Sequence, residues 1–223
     1  MLLQLPMFLL AQDVWESPNA NHNTENEDKT HNKTLAQQLT EEDSLKVAEQ
    51  KAFYKKYVVA GVVPEIDGKV VWTLDVDVPG KSKQQLYDIM FKFLSDLTKS
   101  DNQLEGSAVS LVNKKDFIIA ARIKEWLVFK DQLLSLDRTK MNYTLITYCK
   151  DGHLKVTMSN ISYNYEDGQY NGITFYKAED IITDKYAVST KKKRLRRKIG
   201  KFREKTIDRK DQVFNMIRLA VAR

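Results

Sequence analysis

Cysteine is almost absent from the sequence: Cys149 is the single one among 223 residues, so no disulfide can form within the chain. One cysteine also gives no indication of the redox compartment. Beyond the N-terminus, no apolar run is long enough to cross a bilayer as a helix, so no transmembrane segment is expected. The sequence lacks a phosphate-binding glycine loop and the HExxH and CxxC patterns. None of these sites, and no cofactor, is therefore predicted.

The first eleven residues are apolar but too short to span a bilayer, and polar sequence follows them. This pattern is typical of the hydrophobic region of a signal peptide, cleaved near Ala11, and it predicts an exported protein, periplasmic or secreted. The alternative is an unstructured apolar tail. No cysteine lies near Ala11, so a lipoprotein anchor is not expected. Residues 12–40 are so polar that they predict a disordered linker, in which His22 and His31 are expected to be solvated.

The stretch from Val70 to Val78 alternates between apolar and polar side chains. A period of two predicts a β-strand with one face in the core and the other in water. The face expected to be buried carries Val70, Trp72, Leu74, Val76 and Val78. The opposite face carries Val71, Thr73, Asp75 and Asp77. Pro79 and Gly80 end the strand, and an amphipathic helix is predicted over 81–98.

A hairpin is predicted over 141–165, because the tetrapeptide KDGH at 150–153 carries a strong two-residue turn signal. The turn sets the pairs Cys149 with Leu154, Thr147 with Val156, and Leu145 with Met158. These residues share the face expected to be buried, as in the first strand. Because separate segments agree on which face avoids water, the sequence predicts an α+β fold, an antiparallel sheet with helices on one face.

The remaining elements surround or complete one core domain, predicted over 65–166. The segment before it, 41–64, is expected to form a helix opened by a capping box at Thr40, then a short strand or packing arm. The segment after it, 167–223, is expected to be basic and helical. Inside the core domain, the further elements predicted are strands over 107–112 and 116–130 and a loop over 131–140.

Several phrases of the sequence, in their order, resemble one bacterial family. They are PEIDGKVV at 64–71, VPGKS at 78–82, YTL at 143–145 with KDG at 150–152, YKAED at 176–180, and KFREKTIDR at 201–209. The set is similar to the exported domain-of-unknown-function family four-four-six-eight, described as having a TATA-binding-protein-like fold. The resemblance implies a signal peptide and the element order βαββββα over about 69–165. It implies no activity, cofactor or catalytic residue.

Two pairs of residues have the side-chain types that catalysis or metal binding uses. Cys149 and His153 match a thiol nucleophile and its base, but the turn register puts them on opposite faces of the hairpin. A buried, unreactive Cys149 is predicted instead. Asp75 and Asp77 project from one face, as acid–base or metal-binding carboxylates do, but the sequence gives no third ligand and predicts solvated acids. No catalytic or metal-binding residue is therefore predicted.

The positive charge of the chain is concentrated in one segment. Residues 191–205 hold ten Lys and Arg against one acid, a net +9 in a chain of +6, so the rest of the chain carries −3. A helical segment is expected, with a stripe of Leu195, Ile199 and Phe202. Such a stripe docks on the helical layer and leaves the charge in water, or it enters a lipid interface. The residues expected to form a surface for an anion or partner are Lys191, Lys192, Lys193, Arg194, Arg196, Arg197, Lys198, Lys201 and Arg203.

Three functions are compatible with these features. The first is a non-enzymatic binding or structural module of the cell envelope, whose partner is an envelope protein or an anionic surface. The second is nucleic-acid or anionic-membrane binding through 191–205. Nucleic acid is disfavoured because the polar face of the predicted sheet carries few cations to meet phosphates, and because export separates the protein from the genome. The third is an enzyme with a site assembled from scattered residues. Likeness of fold does not decide among them.

Overall fold

The structure is a computed structural model that describes residues 42–132, 135–166 and 172–223. The predicted signal peptide, 1–11, and linker, 12–40, lie outside the described residues. Residues 42–53 form helix α1, in which Glu42 and Lys46 pair at 2.8 Å across one turn. Residues 50–223 form one compact unit, which holds the sheet.

The chain enters this unit through a π-helical turn, Tyr54–Val58, and a series of bends. The strand predicted as one option for 58–63 is absent there, because Gly61 has a φ of +84°, which breaks an extended run. Val58 and Val63 are nevertheless buried, as the packing arm requires. A short antiparallel pair, β1 (Glu65–Ile66) and β2 (Lys69–Val70), then leads into the main sheet.

The main sheet is antiparallel, and its strands follow the order β3-β7-β6-β5-β4, with β8 also paired to β7. Its strands are β3 (Trp72–Asp77), β4 (Ala108–Asn113), β5 (Ile118–Gln132), β6 (Ser135–Lys150), β7 (His153–Glu166) and β8 (Ile173–Lys177). β5, β6 and β7 run the full length of the sheet. β3 pairs with the first half of β7 and β8 with its last residues.

The predicted register of the central hairpin is confirmed. Leu145 lies opposite Met158, Thr147 opposite Val156 and Cys149 opposite Leu154. The predicted loop over 131–140 is wrong, because β5 and β6 remain paired through this region, up to the pair of Gln132 with Ser135. A bulge between Val128 and Lys130 shifts the register, and a shifted register hides the period-two pattern that marks a strand.

Two long helices cover one face of this sheet. Helix α2 (Lys83–Leu97) opens with a capping box, in which Ser82 and Gln85 bond each other's backbone amides. Two short helices, α3 (Ala178–Ile181) and α4 (Asp184–Ala187), precede a two-strand hairpin of β9 (Val188–Ser189) and β10 (Arg194–Leu195). Helix α5 (Gly200–Ala222) ends the chain. The order βαββββα is therefore confirmed, with β8 to β10 and the short helices inserted before the last helix.

Helix α5 is fixed to the sheet by an aromatic cluster at its first turn. Phe202 is buried, and its ring centroid lies 4.6 Å from that of Phe129 and 5.2 Å from that of Tyr163. Tyr165 and Tyr176 complete the cluster in edge-to-face contacts. Such ring pairs each add about 0.5–1.5 kcal/mol beyond their area burial. The start of α5 is therefore one of the firmly packed points of the fold.

The helix predicted across 191–205 is wrong over its first nine residues. Residues 191–199 form a turn, the strand β10 and a second turn, and α5 begins at Gly200. Lys193 has a φ of +46°, in the left-handed region that ends a helix rather than continuing one. Gly200 is required where it lies, because a Cβ there would stand 2.7 Å from Cβ of Leu195.

Candidate functional site: the basic hairpin

The basic hairpin, residues 188–199, is the segment in which the exposed cations collect. Val188 pairs with Leu195 and Ser189 with Arg194, across a four-residue loop. Two bonds from Arg196 hold the returning strand: its backbone N–H donates to the carbonyl of Ala187 at 2.8 Å, and its Nε donates to that of Val188 at 3.3 Å. These two bonds therefore hold the backbone of the hairpin in place, while the charged groups of its lysine side chains extend into solvent.

All seven cations from 191 to 198 are exposed to solvent. They are Lys191, Lys192, Lys193, Arg194, Arg196, Arg197 and Lys198. Among residues 42–132, 135–166 and 172–223, no carboxylate forms an ion pair with any of them. Within the described residues no ion pair offsets their mutual repulsion, so an anion bound here would be stabilising.

A cleft of about 480 Å³ opens in the basic hairpin. Its wall includes the side chains of Lys192, Arg194, Arg197 and Lys198 and contains no acidic residue. Guanidinium groups bind phosphate and carboxylate groups through two parallel hydrogen bonds, and lysine adds a mobile point charge. The chemistry of this cleft is therefore that of a receptor for phosphate or carboxylate groups.

Lys201 was predicted to be part of the anion-binding surface, but in the structure its side chain is bonded within the fold. Its Nζ donates to Asp137 Oδ2 at 2.6 Å and to Tyr165 Oη at 2.8 Å, and the side chain is mostly covered. Burial lowers the pKa of Lys201, but the bonds to Asp137 and Tyr165 outweigh burial and leave the pKa raised. Lys201 therefore joins α5 to β6 and β7 instead of facing a partner.

Arg203 is completely buried, which corrects its assignment to the predicted surface. Its guanidinium donates to the carbonyls of Tyr57 at 2.7 Å and Ile182 at 2.8 Å, and it pairs with Asp184 at 2.7 Å. Burial lowers its pKa, and the contact with Asp184 opposes that shift. Arg203 therefore ties α5 to α4 and to the turn after α1.

The apolar stripe expected beside these cations faces the fold. Phe202 is buried in the aromatic cluster, and Ile199 packs against the core. Leu195 is half-buried against Gly200. Of the two alternatives for the stripe, burial within the fold with the charge left in water is therefore what the structure has, although Phe202 docks on the sheet and not on the helical layer.

Cys149 and His153 lie on opposite faces of the sheet, as predicted. Cys149 is buried, and burial raises the pKa of its thiol to about 11. His153 lies between two carboxylates of β3: its Nε2 is 2.7 Å from Asp75 Oδ1 and its Nδ1 is 2.9 Å from Asp77 Oδ1. In the described part of the chain, no three His, Cys, Asp or Glu side chains are grouped to hold a metal ion.

The contact of His153 with Asp75 and Asp77 was not predicted, because it depends on the pairing of β3 with β7. The register places His153 directly opposite Asp77. Sequence alternation puts all three side chains on a polar face, but it does not say which strands are neighbours. Predicting this cluster would have required the strand order, that is, the pairing of β3 with β7.

Glu125 is the second polar residue that sequence reasoning missed. It is fully buried on the helix-covered face of β5, where Ile119, Ala121, Ile123 and Leu127 share its parity. An acid at a position that the alternation reserves for apolar residues is a usable signal, since a buried carboxylate needs bonded partners. Arg209 supplies two of those bonds. Glu125 is therefore a structural residue that fixes α5.

Comparison with known structures places this fold. The crystal structure of a DUF4468 family protein from Bacteroides ovatus is similar over 76% of this chain and 95% of that chain, with 37% identity and a TM-score of 0.69. The chain belongs to the DUF4468 family. The family model, "Domain of unknown function (DUF4468) with TBP-like fold", matches residues 72–164, from the start of β3 to two residues before the end of β7. The family resemblance expected from the sequence is thus confirmed.

A more distant structure shares the DUF4468 fold. A TBP-like protein from Parabacteroides distasonis has 22% identity and a TM-score of 0.58, over 71% of this chain and 96% of that chain. At that identity the likeness concerns the fold alone. No curated protein matches this DUF4468 chain. Within the described residues, no helix is both long and apolar enough to cross a membrane.

Proposed function

We propose that this DUF4468 protein is a non-enzymatic binding module of the bacterial cell envelope, which attaches to anionic phospholipid headgroups through the basic hairpin. The observation that supports the proposal is the group of seven exposed cations, 191–198, without a carboxylate partner among the described residues. Phosphate groups at a lipid surface provide the negative counter-charge that these cations lack among the described residues.

The attachment is electrostatic. Each Lys or Arg near an anionic membrane contributes about 1 kcal/mol, so the seven cations together are sufficient for binding without a lipid anchor. Phe202 is buried in the aromatic cluster, so its side chain does not insert into the lipid and adds nothing to the binding free energy. A purely electrostatic contact is reversible and weakens as salt shortens the range of the field, about 8 Å at physiological ionic strength.

The concentration of positive charge favours one orientation. Residues 191–198 carry +7, whereas the rest of the chain together carries −1. An anionic surface therefore attracts the basic hairpin more strongly than any other segment of the protein.

Vesicle sedimentation tests the attachment. The wild-type protein should pellet with vesicles of phosphatidylglycerol and phosphatidylcholine but not with phosphatidylcholine alone. A variant with Lys192, Arg194, Arg197 and Lys198 changed to Gln should remain in the supernatant. A matched control changes four exposed lysines elsewhere, Lys69, Lys99, Lys114 and Lys115, to Gln and should pellet like the wild type.

Nucleic acid presents phosphate groups to the same cations, so it is the competing outcome. Salt-sensitive retention on DNA that is lost in the hairpin variant, without retention on vesicles, would replace the lipid proposal. Cell fractionation tests the envelope part independently. Recovery with the periplasm or membrane fraction supports it, and recovery only from the cytoplasm contradicts it.

A further inference from the structure

A second cavity lies on the face of the sheet that the helices leave uncovered. Its volume is about 290 Å³, and five side chains line it: Tyr148, Lys150, His153, Lys155 and Thr157. They come from β6 and β7, next to the turn that joins these strands. Ligand cavities of about 300 Å³ hold small molecules, so its size suits a small ligand.

The strand register explains why these side chains converge. Lys150 lies opposite His153, and Tyr148 lies opposite Lys155. Thr157 is two residues beyond Lys155, so it points to the same face. Directly opposed side chains on one face have Cβ atoms about 4.5–5.5 Å apart, which lets their polar ends meet one ligand group.

Four polar groups of this cavity have no hydrogen-bond partner in the part of the protein that the structure describes. They are Tyr148 Oη, Lys150 Nζ, Lys155 Nζ and Thr157 Oγ1. Lys155 is the informative one, because it lies directly opposite Asp75 on β3. The carboxylate of Asp75 is bound to His153 Nε2 at 2.7 Å instead. The ammonium group of Lys155 is therefore left without its neighbouring acid.

His153 is a wall of the cavity and not a ligand donor. Asp75 and Asp77 are each within 2.9 Å of a different nitrogen of its ring, so both nitrogens are occupied. These contacts fix the ring orientation. The cavity itself has no acidic residue in its lining. Its free groups are two ammonium groups and two hydroxyls, which suit a negatively charged oxygen ligand.

We propose that this cavity binds an oxyanion group, a phosphate or carboxylate, of a small molecule. The two lysines supply charge-assisted hydrogen bonds, and Tyr148 and Thr157 supply neutral ones. The site is separate from the basic hairpin, since the two share no residue.

Residue-resolved NMR tests the proposal on the whole chain. Inorganic phosphate and acetate are titrated at constant ionic strength while the backbone amide shifts are followed. Saturable shifts are expected at Tyr148, Lys155 and Thr157. Lys155→Met and Lys150→Met should each weaken binding about tenfold, the effect of one lost charge-assisted bond. Saturation by phosphate alone identifies phosphate as the group, and saturation by both ions identifies oxyanions in general.

Lys177→Met is the matched control, because Lys177 is exposed on β8 and outside the cavity. It should leave the phosphate and acetate affinities unchanged. Three results would overturn the proposal: no saturable shift with either ion, shifts confined to residues 192–198, or an equal loss in Lys177→Met. The second of these leaves the hairpin proposal standing, so the two proposals fail separately.

Discussion

Arg209 of α5 clamps Glu125 of β5 with two hydrogen bonds, Nε to Oε1 at 2.7 Å and Nη2 to Oε2 at 2.6 Å. Glu125 is fully buried, and its carboxylate also accepts from Tyr143 Oη at 3.0 Å and Gln103 Nε2 at 2.8 Å. Burial lowers the pKa of Arg209, and the bonds to Glu125 more than offset it. The ion pair thus joins the last helix to the middle of the sheet.

Removing one member of this pair should be costly. Arg209→Met leaves the buried carboxylate of Glu125 without its counter-charge, and the expected loss of unfolding free energy is about 3–5 kcal/mol. Replacing both, Glu125→Leu with Arg209→Met, should cost less than Arg209→Met alone because no charge is left buried. Urea denaturation measures both values.

An exposed pair provides the control for this comparison. Lys92 and Asp96 on α2 are 2.8 Å apart but largely in solvent. Lys92→Met should change stability by less than about 1 kcal/mol. Equal losses for Lys92→Met and Arg209→Met would contradict the structural role assigned to Glu125.

Arg203 and Lys198 are five residues apart, but replacing each with Met should affect the stability of the protein differently. Arg203→Met removes the donor of three buried carbonyl and carboxylate contacts and should lower stability by about 3–5 kcal/mol. Lys198→Met removes an exposed cation near the positive end of the α5 dipole, and it should leave stability unchanged or raise it by up to about 1 kcal/mol. Thermal unfolding at low salt distinguishes them, and a destabilised Lys198→Met would contradict the account of the basic hairpin.

Tyr87 has a buried hydroxyl that finds no hydrogen-bond partner among the described residues. An unpaired buried hydroxyl opposes folding, because it gives up its bonds to water and gains none. Tyr87→Phe should therefore raise the free energy of unfolding by about 1 kcal/mol, measured by urea denaturation. The ring contact with Phe117 is retained in this variant. A loss of stability would mean that the hydroxyl has a partner.

Cys149 gives a prediction about labelling. Burial leaves its side chain 4% exposed and raises the pKa of the thiol to about 11, so little thiolate is present at pH 8. A thiol reagent should label the native protein far more slowly than the urea-unfolded protein. Labelling at similar rates would contradict the burial of this residue.

The same thiol gives a prediction about alkaline stability. Its folded pKa is above its ordinary value of 9, so the folded state holds the proton more tightly than the unfolded state. The stabilisation is complete below about pH 9 and is lost as the pH rises toward 11. Cys149→Ala should therefore show a shallower loss of stability than the wild type between pH 9 and 11.

Side-chain alternation was sufficient to predict the centre of the fold. The positions of Trp72 and Leu74, and the pairs across the turn of the central hairpin, follow from a period of two and one turn signal. Alternation failed where the register shifts. The bulge after Val128 concealed the ends of β5 and β6, and the loop predicted there is a continuation of the strands.

The candidate site could be predicted only in part. Charge counting found residues 191–198, but it treated Lys201 and Arg203 alike, although one is bonded within the fold and the other is fully buried. Charge along a sequence does not show which cations acquire partners in the tertiary structure. The cluster of His153 with Asp75 was missed for the same reason, since β3 and β7 are 76 or more residues apart and meet only in the sheet.

The most direct measurement of the central claim is the affinity for phosphatidylglycerol vesicles as hairpin charges are removed one at a time. Lys192, Arg194, Arg197 and Lys198 are changed to Gln in succession. The account predicts about a fivefold weaker affinity at each step, the equivalent of about 1 kcal/mol per charge, and a smaller dependence on salt after each removal. An affinity that stays constant through the series, or that falls equally in the series Lys69, Lys99, Lys114 and Lys115, would contradict it.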